Sequence, residues 1–94
     1  MRRARVDRNE LEIVKALRQM GCTVERIRSL RAGCPDLLIG LYGFNYLAEI
    51  KVPKTGRLSE GQVKWHAEWQ GAKPVILRSV DDAIAFVNKG RTKP

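Results

Sequence analysis

Two β-prone segments, residues 36–42 and 44–52, meet at a single glycine, Gly43, and this pattern constrains the fold more than any other in the chain. Leu and Ile dominate the first segment, Pro35 bounds it, and the glycine supplies turn chemistry. An antiparallel hairpin is predicted. Side chains two apart on a strand share a face, so Glu49 and Lys51 project together while Ala48, Ile50 and Val52 face the other way. Pairing through the turn brings Asp36, at the start of one strand, close to the level of residues 49–51 near the end of the other. A register slip of one residue would separate them.

The rest of the chain supplies helices and two further strands. Asp7 and Glu10 form a capping-box-like start for a first helix over residues 8–20, with Gly21 as its stop. Its apolar stripe collects Ile13, Val14, Leu17 and Met20, and Glu10 falls on that stripe, an unusual place for a carboxylate. Residues 22–28 read as a strand and 29–35 as a loop. Ser59 and Gln62 form a second capping-box signature for a helix ending at Gly71, along which Gln62, Trp65, His66 and Trp69 share a face. Residues 74–78 read as a short strand. Ser79 and Asp82 open a last helix whose core stripe is Val80, Ala83, Ile84 and Val87. The expected architecture is α/β: an αβββαβ core with a mixed sheet flanked by helices, plus a C-terminal helix. It is expected to form a single domain over residues 1–94, with short basic flexible ends at 1–6 and 90–94.

A chain of 94 residues buries roughly 60–65 % of its unfolded surface, enough for one core. Nothing in it approaches the ~20 consecutive apolar residues of a membrane-spanning helix, and no apolar region follows the basic N-terminus as an export signal requires. A cytoplasmic location is expected, in the host cell if the chain is phage-encoded, with no membrane partner. Cys22 and Cys34 lack neighbours in metal-ligand spacing and read as small buried hydrophobes. The formal net charge of +8 points to a polyanionic partner, although charge also serves solubility.

Two carboxylates brought together at a sheet end repel each other unless a cation lies between them, and a hard ion such as Mg²⁺ takes few carboxylates while keeping several waters. Asp36 and Glu49 are therefore candidate metal ligands. Lys51 is placed to steady an attacking hydroxide or the charge growing on phosphorus. Glu10 and Gln62, each on the first turn of a helix facing the sheet, are candidates for an additional ligand, a water-holder or a phosphate contact. Lys54, Arg57 and Lys64 are candidate contacts to nucleic-acid phosphates.

The combination Gly33-Cys34-Pro35-Asp36, Glu49-Ile50-Lys51 and Leu58-Ser59-x-x-Gln62 resembles the PD-(D/E)xK nuclease superfamily, and within it the stand-alone form of the viral-type replication and repair nuclease (VRR-NUC) domain. The resemblance runs from Glu10 to about Leu77. It implies a restriction-endonuclease-like core and an endodeoxyribonuclease that hydrolyses phosphodiester bonds with Mg²⁺ or Mn²⁺ and no small-molecule cofactor. It assigns metal binding to Asp36, Glu49 and the backbone carbonyl of Ile50, water orientation to Lys51, and supporting roles to Glu10, directly or through a water, and Gln62. It also implies a homodimer acting on branched DNA, similar to Holliday-junction resolvases, and a two-fold dimer matches a two-fold junction.

Each residue also has a plainer reading. Glu10 and Gln62 fit N3 capping alone, and Glu49 with Lys51 fits an exposed cross-strand ion-pair pattern. His66 reads as a surface or packed imidazole ahead of a general base, and Trp65 and Trp69 read as core ahead of base-stacking platforms. From a different functional class comes a non-catalytic nucleic-acid-binding module whose basic charge does the binding.

Overall fold

The computed structural model describes residues 9–53 and 56–91. The elements run α1 (Glu10–Gln19), β1 (Thr23–Arg26), a 3₁₀ turn (Arg28–Leu30), β2 (Leu37–Leu41), β3 (Phe44–Ile50), α2 (Glu60–Glu68), β4 (Val75–Leu77) and α3 (Val80–Arg91). Four strands form one mixed sheet in the order β1-β2-β3-β4, antiparallel except for the parallel β3–β4 pair. The chain is thus an α/β fold with a mixed sheet flanked by helices.

The predicted hairpin forms with Leu37 opposite Ala48 and Leu41 opposite Phe44. Its turn is tighter than Gly43 alone requires, because Tyr42 also adopts positive φ (50°) beside Gly43 (85°). Positive φ at both central residues is the two-residue hairpin geometry whose twist suits the flanking strands.

One face of the sheet carries Val24, Leu37, Ile39, Leu41, Ala48, Ile50 and Leu77 into a core closed by Ile13, Val14 and Leu17 of α1 and by Ala83 and Val87 of α3. Asn9 fastens the start of α1 to the sheet by donating from Nδ2 to the carbonyls of Lys51 (3.0 Å) and Arg78 (2.9 Å). Among the described residues no helix is long and apolar enough to cross a membrane.

Several boundaries differ from expectation. Residue 8 and the Asp7 half of the expected cap lie outside the described residues, as do 1–6 and 92–94. Asn9 occupies the N-cap of α1 with no side-chain cap bond, its amide being committed to the sheet. Strand β1 ends at Arg26, since the backbone turns into the 3₁₀ segment at Arg28. Helix α2 stops at Glu68, with Trp69 already extended (φ −68°, ψ 124°). Helix α3 continues through Gly90 to Arg91 where a tail was expected. Gly90 is buried against Leu41, whose Cδ2 would lie 2.8 Å from a Cβ at this position, so the missing side chain lets the helix pass the sheet. Ile84 is exposed, and Phe86 packs against the core from α3 instead.

Candidate active site

The β2–β3 register, continued one residue beyond β2, sets Asp36 opposite Glu49. Alternation places both on the sheet face away from the apolar core. The two carboxyl groups are close enough for the Asp36 charge to act on Glu49. Asp36 is otherwise fully engaged: Oδ2 accepts from the Ile50 amide at 2.8 Å and Oδ1 from Arg28 at 2.9 Å. Glu49 has no exposed surface. Its Oε2 accepts from Gln62 Nε2 at 2.8 Å and its Oε1 lies 3.2 Å from His66 Nε2.

Burial first, then the neighbouring Asp36 carboxyl and its negative charge, push the Glu49 carboxyl up to about 9, against the opposing pull of Lys51 and Arg28. The Glu49 carboxyl is therefore protonated at neutral pH in the folded chain. The His66 imidazole is held below its usual value by burial and by the charges of Lys51 and Lys73. Its contact with Glu49 is therefore a hydrogen bond between neutral groups and not an ion pair.

Gln62 joins the two helical readings in one side chain. Ser59 accepts from the Gln62 amide at 3.2 Å while Gln62 Oε1 accepts from the Ser59 amide at 2.9 Å, a complete capping box. The same Oε1 accepts from Lys51 Nζ at 2.8 Å, and Nε2 serves Glu49. The cap thus orients Lys51 and Glu49 relative to each other. Helix α2 is brought to this face by a close backbone approach at Gly33, where a Cβ would meet the Gly61 carbonyl oxygen at 2.7 Å and where φ is +85°.

Glu10 is fully buried at the inner end of α1, as its stripe position requires. Its two oxygens are taken by Arg26, at 2.9 Å, and by Arg28, which also bonds Asp36. The arginines neutralise Glu10, so it joins the site through Arg28 and not as a bare carboxylate.

Sequence reasoning assigned no role to Arg28, Arg26 or His66. The four-residue spacing from Gln62 to His66 was the one signal that places the imidazole on the same helix face. Trp65 and Trp69 are not core residues, Trp65 being half-buried and Trp69 exposed; the indoles stack on each other instead. Lys64, two residues past Gln62, is turned ~200° away from the site on the helix, which removes it as a contact there. Arg57 is exposed near the entrance to α2. Lys54 lies outside the described residues.

Among the described residues no group of three or more His, Cys, Asp or Glu side chains is arranged to hold a metal. The oxygen pair of Asp36 and Glu49 nonetheless fits a hard divalent ion of the Mg²⁺ class, which takes one or two carboxylates and fills its remaining positions with water. A cation there would replace the Glu49 proton. Comparison with protein-family models, with curated proteins and with solved structures gives no match.

Proposed function

We propose that the chain is a metal-dependent DNA endonuclease of the PD-(D/E)xK type, similar to stand-alone VRR-NUC domains, with a restriction-endonuclease-like core. The observation carrying this reading is the strand register that sets Asp36 opposite Glu49 on one sheet face, with Lys51 tied to the same centre through Gln62. Asp36, Glu49 and the main-chain carbonyl of Ile50 would hold Mg²⁺ or Mn²⁺. When bound, the ion supplies Lewis acidity to a phosphate oxygen and a readily ionised water.

The chain's own residues do the rest. Lys51, a compact cation, orients the water and stabilises the negative charge that grows on the phosphoryl oxygens. Gln62 fixes the ammonium and the Glu49 carboxyl, and Arg28 holds Asp36 in place. Burial of both carboxyls strengthens each of these interactions. The favoured substrate is branched DNA such as a four-way junction, cut by a homodimer in the cytoplasm.

Incubation with a four-way junction, a flap, a nicked duplex and single strands across Mg²⁺, Mn²⁺ and Ca²⁺ tests the reading. Metal-stimulated scission that EDTA stops is the expected result. Glu49→Gln and Lys51→Ala each abolish turnover while binding persists. A second reading, a non-catalytic nucleic-acid-binding module, is favoured by the neutralisation of Glu10 by arginines. It predicts salt-sensitive binding, indifference to chelator and no scission.

A further inference from the structure

The sheet-facing side of α2 does not end at the carboxylates. Counting ~100° per residue from Gln62, His66 lies at ~40°, Trp69 at ~−20° and Trp65 at ~−60°, so all four occupy one ~100° arc. Gln62 and His66 both reach Glu49, and the indoles share that face, Trp65 between the two and Trp69 at the C-cap just past His66. Trp69 is three residues past His66 and seven past Gln62, ~4.5 Å and ~10 Å along the axis. That span covers about one to three nucleotides at the ~3.4 Å spacing of a stacked strand.

The two rings are nearly parallel, with centroids 4.6 Å apart and planes 14° apart. Trp69 keeps 42 % of its surface exposed. The backbone of Gly71 lies against its ring edge, where a Cβ would come 2.8 Å from Nε1, so the indole is held without being covered. A cation caps the same end of the helix: Lys73 Nζ donates to the main-chain carbonyls of Trp69 (2.7 Å) and His66 (2.8 Å). An exposed planar aromatic surface at a helix end capped by an ammonium, on a strongly basic chain, suits a partner that is flat and anionic together.

We propose that the Trp65–Trp69 pair is a platform on which an unpaired nucleobase stacks as its strand enters the Asp36–Glu49 site. This rests on the nuclease reading and deepens it. Stacking tolerates any base, because each has a π-face, whereas bases inside a duplex have their faces covered by neighbours. The platform therefore selects unpaired nucleotides, at a flap, a frayed end or a branch point.

Both tryptophans of the chain belong to this pair, so the intrinsic tryptophan fluorescence reports on the platform alone. The full-length protein is titrated in EDTA with a short oligothymidylate, an oligouridylate, an abasic strand of the same length and a blunt duplex, following fluorescence quenching and anisotropy. Quenching by oligothymidylate, oligouridylate or both, with little from the abasic strand, supports the platform and names the sugar it takes. Trp69→Ala weakens single-strand binding about 5- to 100-fold and duplex binding by less than about twofold, and Trp69→Phe restores most of the loss.

Equal quenching and affinity with the abasic strand overturns the proposal, and that comparison needs no variant. Unchanged single-strand affinity in a folded Trp69→Ala protein does so too. If that variant instead converts a dimer to a monomer by light scattering with single-strand affinity intact, the surface belongs to a second copy of the chain. Chelation keeps scission out of the measurement. Failure to cut DNA refutes the nuclease reading, whereas failure to distinguish bases from abasic sugar refutes only the platform.

Discussion

A carboxyl group with no exposed surface, set beside a second carboxyl, ties the electrostatics of Glu49 to folding. Its folded value of about 9 lies above the ordinary 4.5, so between those limits the native chain holds a proton that the unfolded chain has released. The associated stability is complete below the unfolded value and is lost as pH rises through the folded one. Thermal melting of the chelated protein should therefore fall between neutral pH and pH ~9, with a shallower slope in Glu49→Gln. If a divalent metal binds the pair it must displace the same proton, and calorimetry in buffers of different ionisation enthalpy should detect the release. Gln62→Ala removes the partner of Lys51 and one partner of Glu49, and should cost about 10- to 100-fold in metal affinity or turnover. The position of Glu10 on the inward stripe was legible from helical periodicity. Its arginine partners were not, because they come from a strand end and a 3₁₀ turn whose path depends on long-range packing. The hairpin that brings positions 36 and 49 near each other was legible, but its register was not, because sequence alone does not exclude a one-residue slip; the structure supplies it, with Leu37 opposite Ala48.

At the level of elements, the helices differ in what seats them. Helices α1 and α3 bury apolar stripes, while α2 buries no residue and meets the sheet through Gln62, His66 and the Gly33–Gly61 approach. A substitution at Gly33 acts on that approach twice, through positive φ and through the Gly61 carbonyl. Gly33→Ala should lose about 2 kcal/mol or more in urea unfolding, since the left-handed region alone costs ~1–2 kcal/mol for a side-chain-bearing residue. Amide exchange should be faster in α2 than in α1 or α3. The start of α2 was readable from its capping box. The surroundings of its tryptophans were not: the helical spacing identified their shared face correctly, but sequence could not show that polar groups of the site occupy the space beneath it. Position and partner are separate questions, and periodicity answers the first.

For the whole molecule, eighteen basic against ten acidic residues set the terms of association. If binding neutralises several phosphates, the logarithm of the affinity should fall linearly with the logarithm of salt, with a slope of about −0.9 per phosphate on duplex DNA. Titrations at several salt concentrations measure that slope, and a flat response would remove the electrostatic basis for DNA binding. Light scattering at micromolar concentration should give a dimer mass; a monomer would take away the symmetry argument for junctions and leave scission of simpler substrates standing. The capping box that starts α2 is assembled from the same amide that positions Lys51 and Glu49. Drift that erases the chemistry would also loosen a helix, and the decay would be visible as a folding defect before any substrate was offered.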